Sequence, residues 1–344
     1  MSKLSSVEVK AFIKDKLPYK ILMELYKDSR ASLRDIGKRE GVSHHTVSKT
    51  LRELEEKYDL DYTLMLDEKA LGFSEGRIIT IKFETVPKID ILKERFAKDV
   101  FVQDAYLASG DYDLLLYVVG LTQIDFRFWL LKLRLDFGTN KPQIKMSTVN
   151  DYLMGFFPLR NDLLDKNIVL SNTEKKVLKL LNKNSRMKLR DLTSESKTTK
   201  MRVIYIIEKL KRMKIIKSFT TLVQTPEKRI ISAYSLSLTL NRDFESFDKA
   251  FLAELIKEEY HEVVNDYSLI ASTTGIWDSF LLCVFKDGEY LAKRGPFLAE
   301  EVYAQETPKI EKAILTAIIV GKWPFHLEDY GAIRNQISRR AEFI

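Results

Sequence analysis

Two hydrophobic periods alternate along this chain, and the alternation happens twice. In LPYKILMELYKDS, Ile21, Leu22 and Leu25 share one face at helical spacing, and Pro18 suits a first helical turn. SLRDIGKREG predicts a second, short helix, with Ser32 as N-cap, Leu33 and Ile36 as its buried pair, and Gly41 as a left-handed stop. Ser43 then caps HHTVSKTLRELEEKY, where Val47, Leu51 and Leu54 fall at i, i+4 and i+7. Three short helices with a glycine turn before the third predict a helix-turn-helix.

The period then changes to two. Tyr62, Leu64 and Leu66 alternate in a segment suited to a wing strand, and RIITIKFETV is a β-rich run. KIDILKERFAKD is an amphipathic helix, VFVQDAYLASGDYDLLLYVVG reads as two strands about a glycine turn, IDFRFWLLKLRLDF is helical, and IKMSTVNDYLMG closes as a strand. That order, βαββαβ, is a ferredoxin-like α+β sandwich.

The second half repeats the plan. LRDL begins at Leu189 as LRDI begins at Leu33, and 189 − 33 = 156. At that offset Ile21 matches Val177, Leu22 matches Leu178, Leu25 matches Leu181, Val47 matches Val203 and Leu54 matches Leu210. RIISAYSLSLTL, SFDKAFLAELIKEEY, VVNDYSLIASTTGIWDSFLLCVF, PFLAEEVYAQ and IEKAILTAIIVGKW then supply strand, helix, paired strands, helix and strand. Gly110 and Asp113 correspond to Gly275 and Asp278, so the chain is a tandem duplication. The expected fold class is α+β, two winged helix-turn-helix domains alternating with two βαββαβ ferredoxin-like sandwiches. Their expected ranges are 1–66, 67–160, 161–225 and 226–330, with a tail over 331–344 and a boundary near 160–170 marked by GFFPLRNDLLDKNIVLSN.

The third helix of each copy carries the candidate chemistry. With Val47, Leu51 and Leu54 turned inward, Ser43, His44, His45, Thr46, Ser48, Lys49 and Arg52 remain on the outward, N-terminal side. These are donors and acceptors suited to base edges and phosphates of double-stranded DNA. The adjacent histidines point apart on a helix and have no third ligand nearby, which disfavours a metal site. In the second copy TKMRVIYIIEKLKRMK adds Met201, Ile204, Ile206 and Ile207 to the apolar face, which predicts a packed helix. It also lies in a strongly basic stretch that includes Lys183, Arg186, Lys188, Arg190, Lys209 and Lys217, and its DNA candidates are Lys197, Thr199, Lys200, Arg202 and Tyr205.

Composition narrows the classes. A chain of 344 residues can bury more than one core. Its single cysteine, Cys283, builds neither a disulfide framework nor a cysteine zinc site. No leader or bilayer-length apolar run is visible, so a cytoplasmic protein without membrane partners is expected. The formal charge of +7 and pI near 9.1 favour a polyanionic partner. No glycine-rich phosphate loop, nucleophile elbow or metal cluster is present, and neither an enzyme nor a cofactor is expected.

LRDIGKREGVSHHTVSKTLRELEEKYDLDYTLMLDEKALGF resembles the winged helix and hinge of the Lrp/AsnC regulators, and SGDYDLLLYV is similar to the glycine, aromatic, aspartate turn of that family's ligand-binding sandwich. Thr50 departs from the arginine common in the family. The resemblance implies a sequence-specific transcription regulator whose sandwiches pair, either as a homodimer or as a pseudodimer within one chain. It also implies an amino-acid-like effector near Gly110, Asp111, Tyr112 and Asp113, and near Gly275, Trp277 and Asp278, although an aspartate at such a turn equally serves its own backbone. Phe126, Phe128 and Trp129 are candidates for the contact between sandwiches. Two alternatives share the architecture or its surfaces: a decarboxylase of sirohaem-type tetrapyrroles, for which both strands before the glycine turns lack the expected histidine and His261 lies just upstream, and an adaptor for the basal transcription machinery. GAIRNQISRRAEFI is a basic amphipathic candidate for partner or DNA contact.

Overall fold

The computed structural model describes residues 17–167, 169–224, 230–237, 267–285, 287–289, 291–292 and 309–324. The two crossover helices expected in the second sandwich, His261 and the C-terminal basic segment lie outside the described residues. The chain divides into two compact units that interleave in sequence. One combines residues 17–72 with 161–167 and 169–224, and the other combines 73–160 with 230–237, 267–285 and 309–324.

The first unit holds both helix-turn-helix copies. Helices α1 (Leu17–Lys27), α2 (Leu33–Glu40) and α3 (His44–Tyr58) are followed by strand β1 (Leu60–Leu66). Ser32 Oγ accepts the Asp35 N–H and Ser43 Oγ accepts the Thr46 N–H, both at 3.1 Å, satisfying donors that a helix start leaves open. Gly41, at φ +69°, ends α2 in the left-handed conformation. Ile21, Leu22, Leu25, Ile36, Val47, Leu51 and Leu54 form one buried cluster. The second copy consists of α6 (Asn161–Asp165), α7 (Asn172–Lys183), α8 (Leu189–Ser196), α9 (Lys200–Arg212) and β6 (Ile216–Val223). Its Val177, Leu178, Leu181, Leu192, Val203 and Leu210 are buried at the matching positions.

β1 is not a wing paired within its own copy. It runs antiparallel to β6, with Thr63 opposite Thr220 at the centre of the ladder and Leu60 opposite Val223 at one end. The copies thus share one two-stranded sheet about a local pseudo-dyad. Ser29 and Ser185, 156 residues apart, meet on that axis with their hydroxyls 2.5 Å apart. The Arg30 guanidinium donates to the Ser185 carbonyl at 2.6 Å and to Met187 O at 3.1 Å, and Arg186 donates back to the Ser29 carbonyl. Each guanidinium also lies over a ring of the other copy's strand, Arg30 over Phe219 and Arg186 over Tyr62. Burial lowers the Arg30 pKa, with Asp28 opposing and the like charge of Arg186 adding to the effect. Arg186 therefore belongs to this seam and not to the outward basic stretch.

The second unit is a closed eight-stranded barrel. Its first half runs β2 (Arg77–Lys82), α4 (Ile89–Ala97), β3 (Val102–Gly110), β4 (Leu114–Val118), α5 (Gln123–Asp136) and β5 (Gln143–Met154). The second supplies β7 (Ile230–Ser237), β8 (Tyr267–Gly275), β9 (Ser279–Phe285) and β10 (Lys309–Val320). Around the barrel the order is β10-β3-β4-β2-β5-β8-β9-β7. Each half keeps the ferredoxin-like order, and its two outer strands pair with the outer strands of the other half. At one seam Ser147 faces Gly275, and at the other Ala313 faces Gly110. Ladder irregularities fall at Val149/Asp151 and Tyr152/Met154 on β5, and at Leu315/Ala317 and Ile318/Val320 on β10, which are equivalent places. The sandwiches are thus joined as a pseudodimer within one chain.

Burial on both sheet faces explains the unbroken apolar run LLLYV and the adjacent Ile78 and Ile79 of RIITIK. Ile79, Ile81, Leu114, Leu116 and Val118 pack under the helices with Leu92, Phe96, Phe126, Trp129 and Leu133. Ile78, Thr80, Leu115 and Tyr117, on the alternate positions, are buried as well. Phe126 and Trp129 are therefore core residues, whereas Phe128 is exposed.

Candidate nucleic-acid interface

Helix α3 presents its N-terminal turn to solvent. His44, His45, Thr46, Lys49 and Arg52 are exposed, Ser48 is half-buried, and Thr50 is buried, so the departure from the family's arginine lies off this face. The histidine rings sit 3.9 Å apart at the helix start. Ser43 and Thr46 are occupied with each other as well as with the cap, their hydroxyls 2.9 Å apart. That leaves His44, His45, Lys49 and Arg52, with the half-buried Ser48, as the accessible donors. His44 and His45 stand at the positive end of the helix dipole, where phosphate is favoured, and Lys49 and Arg52 follow one and two turns along.

Helix α9, the third helix of the second copy, differs. Lys197, Thr199, Lys200, Arg202 and Tyr205 are exposed, and Thr199 Oγ1 caps α9 by accepting the Arg202 N–H at 3.2 Å. Arg202 lies 5.2 Å from the Tyr205 ring centroid. Lys197 takes the place of Gly41 and holds a left-handed φ of +54°. The expectation that this helix packs all round fails for Met201 and Ile204, which are exposed, while Ile206 is buried. Part of the basic stretch is spent internally: Lys209 pairs with the buried capping-box carboxylate Glu174 at 2.6 Å, and Lys217 with Asp67 at 3.0 Å. Burial raises the Glu174 pKa, yet Lys209 and the Ser171 donors outweigh it and hold the carboxyl below its usual range.

The two glycine turns do mechanical work at the barrel seams. Asp111 exchanges two hydrogen bonds with Lys312, its N–H to the Lys312 carbonyl at 2.9 Å and its Oδ2 from the Lys312 N–H at 2.8 Å. Asp113 accepts from Lys82 Nζ at 2.7 Å and from the Phe83 N–H at 2.9 Å. At the other seam Ile276 has no carboxylate to offer, and Ser147 Oγ accepts the Trp277 N–H at 2.8 Å instead. The Asp278 N–H reaches the Leu236 carbonyl at 2.8 Å, as that of Asp113 reaches Ile81 at 2.9 Å. Tyr112, Asp113 and Trp277 are buried, which removes them from direct contact with a ligand at the surface; Gly110, Asp111 and Gly275 are exposed and Asp278 is half-buried.

Comparison with known proteins fits this frame. The family described as winged helix-turn-helix DNA-binding matches residues 14–57. The HTH-type transcriptional regulator LrpA of Pyrococcus horikoshii is 37% identical over 97 residues, covering 27% of this chain and 67% of that protein. The chain belongs to the Lrp/AsnC family. Another relative, the uncharacterized HTH-type transcriptional regulator YugG of Bacillus subtilis, is 34% identical over 110 residues, 30% of this family member and 66% of YugG. The siroheme decarboxylase NirDL matches in structure over 94% of this chain and 99% of its own, with a TM-score of 0.58 at 13% identity. This last likeness is one of fold, and it spans both copies. Among the described residues no helix is long and apolar enough to cross a membrane.

Proposed function

We propose that this Lrp/AsnC regulator binds double-stranded DNA as a single-chain, double-headed reader of asymmetric sites. The DNA-binding, transcription-regulating class follows from the family. The finer reading rests on one observation: two capped, solvent-facing reading helices lie in one unit about a shared ladder, but carry different side chains at equivalent positions. A homodimer offers two identical faces and suits a palindrome, whereas this chain offers two unlike faces on a two-fold frame. His45 and Ser48 are assigned to base edges, and Lys49, Arg52, Lys197, Lys200 and Arg202 to phosphates. His45→Ala with Ser48→Ala should cost about 1–3 kcal/mol of discrimination per lost good contact while nonspecific binding persists. Equal weakening on every sequence would refute base reading by this helix.

Two further partners belong to the same proposal. An amino-acid-like effector would meet the exposed Gly110, Asp111 and Gly275 with Asp278, and would act by loosening or tightening the seams those turns hold. Self-association would use helices, because every described barrel strand already has two neighbours. Ile124, Phe128, Leu131 and Leu135 form an exposed apolar stripe on α5 for a second copy. Phe128→Asp should then shift the chain to a smaller species in sedimentation; an unchanged species would remove α5 from that role. Because NirDL shares the fold, an absorbance titration with an iron tetrapyrrole is the control against the decarboxylase reading, and a saturable Soret shift would favour that reading.

A further inference from the structure

The two reading helices differ most on the face presented for reading. Counting 156 residues onward, His45 becomes Met201, Ser48 becomes Ile204 and Lys49 becomes Tyr205. These positions are spaced i, i+3 and i+4 and so share one helix face. In α9 the three side chains are 76%, 39% and 49% exposed, while Val203, Ile206 and Leu210 of the same helix are buried. A face of hydrogen-bonding groups in the first copy is an apolar face in the second.

The surroundings of this apolar patch indicate what covers it. Lys197, Lys200 and Arg202 are all exposed beside it, and the Arg202 guanidinium stacks near the Tyr205 ring. These cations gather at the N-terminal side of the apolar centre, with Glu208 exposed one turn beyond Ile204, and cations beside an apolar surface suit a polyanion whose groove floor carries apolar groups. In the DNA major groove the one apolar group on a base edge is the C5-methyl of thymine.

We propose that α9 is a thymine-methyl reader, so that the half-site under the second head is selected for thymines by Met201, Ile204 and Tyr205. The first head reads its half-site by hydrogen bonds. This rests on the DNA-binding reading above and adds the class of sequence that the second head takes.

The test uses the full chain and a DNA fragment recovered by selection against it. Thymines under each half of the footprint are replaced by uracil, which removes the methyl and leaves base pairing intact. Each contacted thymine under the second head should weaken binding about fourfold when replaced, the value of one buried methylene-sized group. The same replacements under the first head should leave affinity unchanged. Met201→Ala with Ile204→Ala, both at exposed positions, should remove the sensitivity to uracil while circular dichroism stays that of the parent. Uracil-insensitive binding throughout would overturn the proposal, as would a doubly substituted chain with unaltered affinity and base preference. A variant that changes oligomeric state but not DNA affinity would make the patch a protein contact, and a footprint confined to the first half-site would also overturn the proposal while leaving DNA binding intact. A chain that enriches no DNA would instead refute the DNA-binding reading itself.

Discussion

Gly110→Ala is the sharpest probe of the barrel seam. Gly110 sits at φ +148°, a region that L side chains rarely adopt, and a Cβ there would stand 2.4 Å from the Lys312 carbonyl oxygen and 2.8 Å from Ala313 Cα. Both are backbone atoms of the opposing half and cannot rotate away. Backbone strain contributes about 1–3 kcal/mol and overpacking about 1–3 kcal/mol, so the substitution should cost roughly 2–6 kcal/mol. Gly275 has a similar φ of +144°, but its nearest neighbours, Met146 O and Ser147 Oγ, are each 2.9 Å away, so a smaller shift clears the added carbon. Gly275→Ala should therefore cost less. Gly41 has φ +69° and nothing within 4 Å of the added carbon, and lies in the other unit, so Gly41→Ala should cost only the left-handed penalty of about 1–2 kcal/mol there. The three tryptophans, Trp129, Trp277 and Trp323, all belong to the barrel unit. Urea unfolding followed by tryptophan fluorescence thus reports the barrel, and midpoints should fall in the order parent, Gly275→Ala, Gly110→Ala, with Gly41→Ala at the parent value. A parental midpoint for Gly110→Ala would refute the seam as described.

Three other outcomes follow from buried or strained groups. Burial pushes the fully buried Asp104 carboxyl up to about 7, against the Lys322 N–H and the Tyr106 hydroxyl that favour its charged form. The native state then holds a proton that the unfolded chain releases near pH 4, so barrel stability should fall by roughly 4 kcal/mol as pH rises from about 4 to 7; Asp104→Asn should flatten that slope in pH-dependent urea melts, and an unchanged slope would remove Asp104 as its source. Arg30→Ala strips the Ser185 and Met187 carbonyls of a charged donor and should cost the helix-turn-helix unit about 1.5–3 kcal/mol, with Arg30→Lys restoring only part, since the planar guanidinium stacks on the Phe219 ring as an ammonium does not; thermal melts by circular dichroism decide it. Lys197→Gly should stabilise the same unit by up to about 1 kcal/mol by relieving the left-handed φ, while lowering the slope of log affinity against log salt by about 1.

The helices and the duplication were legible because their causes are local. Ser32, Ser43 and Gly41 mark helix ends by their own chemistry, and the offset of 156 aligns buried positions without reference to any contact. Partners across the chain were not legible. Alternation in Tyr62, Leu64 and Leu66 predicts a strand but not that it pairs with β6, because period specifies a face and not a neighbour. Arg186 reads as one more cation in a basic stretch, and only the ladder brings it to the Ser29 carbonyl. The signal available was Arg30 at the matching position, since a residue kept in both copies near the pseudo-dyad fits a reciprocal contact. The glycine turns were seen, but the side chains of Asp111 and Asp113 reach across the sheet to Lys312, Lys82 and Phe83. Met201 and Ile204 misled in the opposite direction, for apolarity on a helix predicts burial unless its natural cover is another molecule.

Footprinting of one full chain on its best selected DNA site, at known stoichiometry, tests the central claim most directly. The account predicts one chain protecting two adjacent half-sites of unlike sequence, with Lys200→Ala and Arg202→Ala erasing protection of one half and Lys49→Ala and Arg52→Ala erasing the other. Two identical half-sites requiring two chains, or protection that all four substitutions weaken alike, would contradict it.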